Sequence, residues 1–216
     1  MIAKIIKFYK LDLSDKLNIF DRYFNLFRTK YFYKYLLKKS GSNNFIRKPI
    51  LWNPNFIDIG SDCYIGHHCR LEAIRRWNEK IFRPNLVIGN GSSMEQGCHI
   101  TFADELKIGE NCTFSYNVMI TDTDHEYKNI GVDIINQPIY IKKTQIGSNC
   151  FIGAGAKIQA GTILGKQCIV GANSVVRGVF PDYCVIVGIP GKIVKRYNQK
   201  TNKWEKTSDN GDFIDE

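Results

Sequence analysis

The sequence predicts a parallel β-helix, because aliphatic residues recur at every sixth position and, in the longest series, a small residue follows each of the first five of them four positions later. One uninterrupted series consists of Ile146, Ile152, Ile158, Leu164, Val170 and Val176. Shorter series with the same spacing are Ile59, Ile65 and Leu71; Ile88, Met94 and Ile100; and Ile108, Phe114 and Ile120. A period of six fits short flat strands, three of which complete one triangular coil with one aliphatic side chain per strand pointing inward.

Two further observations support strands over helices in this region. The 3.6-residue periodicity of an amphipathic helix is absent from these stretches. The segment IGAGAKIQAGTILGK is also too rich in glycine for a helix. We therefore expect a mainly β protein with a β-helix over residues 57–190, preceded by a partly helical segment over 1–56 and followed by a C-terminal tail over 191–216.

Most of the cysteines fit the six-residue repeat as packing residues. The small-residue position, where the wall bends, is occupied by Cys63, Cys69, Cys98, Cys112, Cys150 and Cys168. We expect these side chains to be buried and reduced and to behave as small hydrophobes. Disulfides are not expected in a cytoplasmic protein, and no C-x-x-C pair suggests a metal site. Cys184 falls outside the register and has no assigned role.

The composition narrows the choice of partners without deciding it. The apolar fraction of 44% and charged fraction of 24% are those of an ordinary soluble protein. The net charge of +9 favours polyanionic partners such as phosphates, acidic glycans, anionic lipid or nucleic acid, or only a solvated basic surface. No apolar run approaches the roughly 20 residues that span a bilayer, and the start, MIAKIIKFYKLDLSDK, lacks a signal-peptide cleavage site. A cytoplasmic location is expected.

The repeat is interrupted three times, and the largest interruption predicts a functional loop over residues 121–145. If the spacing continued past Ile120, Glu126 would point inward, at a large desolvation cost. The wall is therefore predicted to open just after His125, leaving the imidazole at the mouth of an extruded loop. Asp122 and Asp124 flank this histidine and are candidates to orient or polarise it, or simply to solvate the turn. A lone histidine in a loop is more often a surface residue.

The repeat resembles that of the hexapeptide-repeat acyltransferases, which fold as left-handed parallel β-helices; the handedness is implied by this resemblance, since parallel crossovers are ordinarily right-handed. The stretch IGENCTFSYNVMITDTDHE aligns without a gap with a coil of the galactoside and maltose O-acetyltransferases. There His125 falls on the catalytic histidine. D-T-D-H-E also resembles the D-H-x-H-G motif of bacterial lipopolysaccharide and capsule O-acetyltransferases, with Thr123 and Glu126 replacing a histidine and the glycine.

The resemblance implies acetyl-CoA as the donor and several residues that would bind it. In the closing segment VGANSVVRGVFPDYCVIVGIPGKIVKR, Ala172 matches a position that lines the coenzyme A channel through its backbone, and Ala154 matches another one coil earlier. Lys192 and Lys195 would meet the phosphate end, which suits the point charge of lysine. The resemblance also implies a homotrimer with each active site between neighbouring coils. No metal and no nucleic-acid partner is expected.

The chemistry implied is direct acetyl transfer to a sugar hydroxyl of a bacterial surface polysaccharide (O-antigen or capsule) or its precursor. Neutral imidazole, with a reference pKa of about 6.5, is suited to accept the hydroxyl proton, so His125 is the expected general base. Glu95 aligns with an assisting asparagine of the galactoside enzymes, although a structural or solvated role is equally consistent with it. His99 should point outward and is a candidate for the acceptor groove.

Three other functions remain open at this point. An N-acetyltransferase acting on an amino sugar or sugar nucleotide is the main rival, although the first 56 residues contain no glycine-rich nucleotide-binding loop. A zinc carbonic anhydrase needs three histidine ligands, and His67, His99 and His125 are spread too widely along the chain. A non-enzymatic coil would need neither the histidine at the break nor the basic GIPGKIVKR segment.

The N-terminal segment predicts an amphipathic helix, or a pair of helices, within residues 14–40. Its apolar residues recur at steps of three and four: Leu17, Phe20, Phe24, Phe27, Tyr31 and Tyr35. Ser14 is the predicted cap. The simpler interpretation packs this face on the β-helix or on a neighbouring subunit, and the alternative is contact with a membrane surface or a lipid-linked glycan. The polar residues at the C-terminus are expected to be extended or disordered.

Overall fold

Three parallel sheets form the walls of a triangular coil in the computed structural model, which describes residues 11–214 except the side chain of Trp52. The first wall contains Lys39–Ser40, Ile57–Ile59, Asn85–Ile88, Glu105–Ile108, Gln145–Ile146, Ile163–Leu164 and Val179–Phe180. The second contains Phe45–Ile46, Tyr64–Ile65, Ser93–Met94, Thr113–Phe114, Phe151–Ile152, Ile169–Val170 and Cys184–Val187. The third contains Ile50–Trp52, Arg70–Ala73, His99–Phe102, Met119–Thr121, Lys157–Ile158 and Val175–Val176.

The remaining elements lie outside the three walls. Helix α1 spans Leu13–Arg28 and continues through a π-helical turn, Thr29–Tyr33, into the short helix α2, Lys34–Leu36. Short antiparallel hairpins pair Arg76–Trp77 with Lys80–Ile81 and Thr123–His125 with Ile139–Ile141. Turns of 3-10 helix occur at Pro54–Phe56 and Ile134–Asn136. Residues 1–10, where no signal peptide is expected, lie outside the described part of the chain.

The core is the stack of aliphatic side chains that the six-residue spacing predicts. In the third wall Ile120, Ile158 and Val176 lie directly above one another in parallel register. All three are at most 1% exposed. Because each strand contributes only one or two inward side chains, the coil is stable only when successive turns cover one another. The prediction of a parallel β-helix is confirmed.

The cysteines also occupy the buried corners, and Cys184 proves to be one of them. All seven are buried and unpaired. The register of the second wall stacks Cys112, Cys150, Cys168 and Cys184 at one corner of successive coils. The expectation that Cys184 lies outside the repeat was wrong because the coil shortens by two residues after Val176. Phe180 takes the inward place beside Leu164, and Cys184 follows it by the usual four positions.

Helix α1 lies against the start of the coil with its polar side, opposite to the expected orientation. The helix is capped by Asp12, whose carboxylate accepts from the Asp15 N–H (2.7 Å), and not by Ser14. Asn25, Thr29 and Tyr33 are buried. The Thr29 hydroxyl accepts from the backbone N–H of Ile46 at 3.0 Å.

The apolar residues of this helix point to solvent, so the interpretation that they pack on this chain's own β-helix was wrong. Phe20 is 70% exposed and Phe27 61% exposed. The periodicity identified the apolar face correctly, but the coil offers the helix polar partners instead. One of these is Arg47, which forms an ion pair with Asp21 on the coil-facing side. Packing of the apolar face on a neighbouring subunit stays untested.

The C-terminal residues extend the second wall rather than leaving it. Strand Lys192–Asn198 runs antiparallel to Cys184–Val187, and Lys203–Lys206 pairs with it in turn. The tail, expected to be extended or disordered, is therefore extended at least over these two strands. Ile193 is buried against the end of the coil, which explains why this polar segment has an ordered place.

Replacement of an inward side chain should destabilise the coil far more than replacement of an outward one. Ile158→Ala removes a fully buried group stacked between Ile120 and Val176, and we expect it to lower the free energy of unfolding by about 3 kcal/mol. The control, Ile169→Ala, alters a side chain that is 38% exposed and should cost about 1 kcal/mol or less. Urea denaturation measures both, and equal losses would contradict the assigned register.

Candidate active site

The three interruptions of the repeat meet at one corner of the triangle, between the third and first walls. The first follows Ala73, the second contains Ala103, and the third follows Thr121. Phe82 and Ile139, from the first and third interruptions, are buried against Ala103. Insertions that are far apart in sequence therefore form one raised surface on consecutive coils.

The largest insertion leaves the coil as an antiparallel hairpin. Thr123 pairs with Ile141 and His125 with Ile139. The departure occurs after Thr121, so the prediction that the wall opens just after His125 was four residues too late. Beyond the paired strands the backbone N–H of Glu126 still donates to the Pro138 carbonyl at 2.9 Å. His125 thus stands on a supported strand and not at the end of a free loop.

Asp122 explains why the wall opens where it does. Its side chain is fully buried, and the carboxylate accepts from the backbone N–H groups of Ala103 (2.9 Å) and Asp104 (2.9 Å). Burial raises the pKa of Asp122 to about 6, although these backbone hydrogen bonds act in the opposite direction. The carboxylate anchors the base of the hairpin to the preceding coil.

Asp124 anchors the hairpin on its other side. Its carboxylate accepts from the Arg177 guanidinium at 2.7 Å and from the Tyr140 hydroxyl at 3.2 Å. Partial burial alone would raise the pKa of Asp124, but the hydrogen bonds from Arg177 and Tyr140 outweigh it, and the pKa lies below its usual value. Arg177 also donates to the Gln159 side chain at 3.1 Å. The ion pair ties the hairpin to the outer face of the third wall.

His125 is exposed at the mouth of the hairpin, where an aromatic ring confines it on one side. Its ring centroid lies 5.0 Å from that of Trp77, with the two planes inclined at 68°. The indole N–H of Trp77 donates to the Gln137 carbonyl at 2.8 Å, which fixes the ring relative to the insertion. Asp122 and Asp124 are bonded to the groups described above, so neither carboxylate holds the imidazole; both support the hairpin instead.

His99 and Glu95 both lie on the coil, but they differ in their position relative to the base of the hairpin. His99 occupies the outer face of the third wall, with its Nε2 2.9 Å from the Thr101 hydroxyl and 3.7 Å from the Glu72 carboxylate. Thr101 is paired with Thr121, where the hairpin begins. Glu95 is exposed at the opposite edge of the third wall, so the structure does not bring it to the hairpin.

The residues matched to the coenzyme A site gather on that opposite edge. Ala154 and Ala172 lie on successive turns between the second and third walls, linked by the hydrogen bond from the Asn173 N–H to the Ala154 carbonyl (2.8 Å). Lys192 and Lys195 are exposed on the strand that borders Cys184–Val187. Within one chain the width of the third wall therefore separates these residues from His125.

Sequence reasoning missed Arg177 and Trp77. Arg177 is 53 residues from its partner Asp124, and Trp77 is 60 residues from Gln137, whose carbonyl holds its indole. No local pattern distinguishes either residue. The tryptophan did lie in an interruption of the repeat, which was the one available signal.

The comparisons with known proteins decide the family. The model described as "Bacterial transferase hexapeptide (six repeats)" matches residues 143–178. The putative lipopolysaccharide biosynthesis O-acetyl transferase WbbJ of Escherichia coli K12 is 32% identical over 163 residues, covering 71% of this chain and 79% of that protein. This chain belongs to the hexapeptide-repeat acyltransferases. The probable acetyltransferase Rv3034c of Mycobacterium tuberculosis is 33% identical over 152 residues, or 70% of this chain and 47% of that protein.

Solved structures with low sequence identity share the fold. A point mutant of AntD, an N-acyltransferase from Bacillus cereus in complex with dTDP and coenzyme A, superposes with a TM-score of 0.66 at 18% identity, covering 80% of this chain and 90% of that one. Galactoside acetyltransferase in complex with coenzyme A gives a TM-score of 0.54 at 17% identity, covering 97% and 84%. The coil is thus a left-handed parallel β-helix, and the chain is an acyltransferase.

Two arrangements of residues are not found in the described part of the chain. Within residues 11–214, no group of three or more histidine, cysteine, aspartate or glutamate side chains is arranged to hold a metal ion. The helices in this range are also too short or too polar to span a membrane.

The buried Asp122 should make stability fall as pH rises. Its pKa is about 6 in the folded protein and about 3.9 in an unfolded chain. The folded state therefore retains a proton that the unfolded state releases between about pH 4 and pH 6. The stabilisation is complete below about pH 4 and lost above about pH 6, a change of up to about 3 kcal/mol. Urea denaturation across this range should show the slope, and Asp122→Asn should lack it; an unchanged slope in the variant would contradict the assignment.

Arg177 should act as a positioning residue that holds the hairpin through Asp124. We expect Arg177→Ala to reduce kcat for acetyl transfer roughly 10–100-fold, with little change in KM for acetyl-CoA, because the histidine would lose its fixed placement. Arg177→Lys should recover part of the loss, since one charged contact to Asp124 remains. Arg22→Ala, which alters an exposed arginine on helix α1, is the control. An unchanged kcat in Arg177→Ala would show that the ion pair is only structural.

Proposed function

We propose that this chain is an O-acetyltransferase that moves the acetyl group of acetyl-CoA to a sugar hydroxyl of a bacterial surface polysaccharide, O-antigen or capsule, or its precursor. The observation that carries the proposal is the placement of His125 on a braced hairpin, exposed beside Trp77 at the edge of the coil. The similarity to WbbJ, a putative lipopolysaccharide O-acetyl transferase, supports the choice of acceptor class. Because acetyl-CoA is the donor, the reaction belongs in the cytoplasm.

In the proposed mechanism His125 is the general base. Its neutral imidazole accepts the proton of the sugar hydroxyl as the oxygen attacks the thioester carbonyl. The tetrahedral intermediate then collapses, the carbon–sulfur bond breaks, and the imidazolium returns the proton to the coenzyme A thiolate. The acetyl group ends on the sugar oxygen, and the histidine is restored for the next cycle.

The seven cysteines support direct transfer over a covalent enzyme intermediate. All of them are buried in the coil, and the thiols donate inward to backbone carbonyls, as Cys150 does to Gly165 at 3.2 Å. A ternary complex of donor, acceptor and enzyme therefore accounts for the reaction without an acyl-enzyme.

We place the donor along the edge marked by Ala154 and Ala172, with Lys192 and Lys195 at its phosphate groups. This edge and His125 lie on opposite sides of the third wall in a single chain. The proposal therefore includes a homotrimer in which the donor edge of one copy faces the hairpin of the next, so that the reacting groups come within reach. His99, on the outer face of the third wall, is proposed to face the acceptor, whereas Glu95 lies on the donor edge.

N-acylation of an amino sugar is the second candidate. The observation in its favour is the superposition with AntD, an N-acyltransferase whose structures include one with dTDP-4-amino-4,6-dideoxyglucose and coenzyme A. The same histidine could serve either reaction. An amine that loses its proton to imidazole would attack the thioester just as a hydroxyl does.

Purified protein incubated with acetyl-CoA and matched pairs of hydroxyl and amino sugars distinguishes the two candidates. Mass spectrometry of the product locates the new acetyl group as an ester or an amide, and hydroxylamine removes the ester only. Exclusive amide formation would replace the O-acetyltransferase proposal with its rival.

Replacement of the proposed base should abolish transfer without disturbing the fold. We expect His125→Ala to lower kcat by at least roughly 100-fold, in keeping with the loss of a general base. The thermal transition and the oligomeric state should not change, because the imidazole is exposed and buries little surface. His68→Ala, which removes another exposed histidine, is the matched control. Full activity of His125→Ala would exclude the mechanism.

A further inference from the structure

Helix α1 carries a continuous apolar face on its solvent side. The face consists of Leu13, Leu17, Phe20, Phe24 and Phe27, and it continues at Tyr31 in the π-helical turn; each of these side chains is at least 50% exposed. Their spacing of three and four residues aligns them in one row along the helix. Tyr35, in α2, is 77% exposed and extends the row. A row of this size on a water-soluble surface marks a contact with something apolar.

The polar side of the helix prevents the aromatic row from turning inward. Asp21 is paired with Arg47 of the coil, and Thr29 is bonded to the backbone of Ile46. Asn25, next to Thr29 on the same side, is 2% exposed. Rotating the row towards the coil would break these bonds and expose groups that are now satisfied, so the local sequence keeps the apolar face outward.

The row lies in a strongly basic part of the chain. Residues 1–40 contain ten lysines and arginines and three aspartates, so this segment carries +7 of the total net charge of +9. Lys30 and Lys34 are exposed, and the Lys30 ammonium lies 5.1 Å from the centroid of the Tyr31 ring. Aromatic and aliphatic side chains next to lysines match the apolar interior and anionic surface of a bilayer at once.

A cavity opens beside these lysines, between the helix and the first turn of the coil. It has a volume of about 370 Å³, and its lining includes Lys30, Lys34, Ser40, Ser42 and Asn43. Ammonium and hydroxyl groups of this kind bind phosphate oxygens. The cavity thus offers a place for a lipid headgroup next to the apolar row.

We propose that the outward face of helix α1 docks on an anionic lipid bilayer, with the helix lying in the plane of the interface. Roughly 30 Å of helix would insert its apolar row at the level of the headgroups while the lysines meet their phosphates. A second copy of this chain is a poorer occupant, because it would bring two strongly basic segments together. This surface is independent of the acetyl-transfer site.

Vesicle flotation tests the proposal with the full chain. Large vesicles of equal parts phosphatidylglycerol and phosphatidylcholine should carry the protein upward at about 0.1 M salt, and vesicles of phosphatidylcholine alone should carry at least about tenfold less. Absence from the phosphatidylglycerol vesicles would overturn the proposal.

Two variants separate the apolar and basic contributions. Phe20→Ser with Phe24→Ser and Phe27→Ser should reduce vesicle binding by at least about tenfold. Lys30→Gln with Lys34→Gln should reduce it on anionic vesicles by a similar factor and leave binding to neutral vesicles unchanged. Val179→Ser with Trp204→Ser is the control, since it removes exposed apolar groups that lie far along the coil. Wild-type binding by the triple variant would overturn the proposal.

Two further measurements keep the outcome unambiguous. Acetyl transfer to a soluble sugar and the thermal transition should be the same in the triple variant and the wild type, which separates loss of docking from loss of fold. Light scattering should give the same mass for both proteins in the absence of lipid. Dissociation of the triple variant into smaller species would instead assign the face to a second copy and overturn the bilayer proposal.

Discussion

The structure depends on the stacking of one inward aliphatic column per wall. Each turn of the coil has almost no core of its own, so its stability comes from burial against the turns above and below, as for Ile158 between Ile120 and Val176. This constraint fixes which side chains face inward and leaves every alternate position free to face solvent. The small corner residues follow from the same constraint, because the backbone bends there and successive coils approach closely.

The candidate functional residues lie where the aliphatic column is interrupted, and the three interruptions share one corner of the triangular coil. The insertion after Ala73 and the hairpin after Thr121 could have emerged at different edges, in which case Trp77 and His125 would not meet. Ala103, a small residue of the intervening coil, is buried together with Phe82 and Ile139, and Trp77 packs against the same cluster. Asp122 and Arg177 then hold the hairpin at two points. The position of the histidine is therefore supported by residues from four separate segments of the chain.

The N-terminal helix differs from the coil in the direction that its apolar side chains face. In the coil, apolar side chains are inside because they stack on equivalent residues of the next turn. In helix α1 the coil-facing positions are polar and satisfied by hydrogen bonds and an ion pair, while the aromatic side chains face outward. The chain thus carries an exposed apolar surface, with lysines beside it, at the end of the coil opposite the closing strands.

The sequence by itself determined the period, and with it the fold, the inward columns, the buried cysteine corners and the loop that carries His125. These features follow from the spacing of residues that are close together in the chain. They can therefore be predicted without knowing which distant residues are in contact. Only the tertiary structure decided that Trp77 meets His125, that Arg177 meets Asp124, and that Cys184 rejoins the register after a shortened turn. The tertiary structure also decided that the aromatic row of helix α1 faces outward. An amphipathic pattern defines two faces of a helix, but which of them meets the coil depends on the partners that the folded chain places opposite.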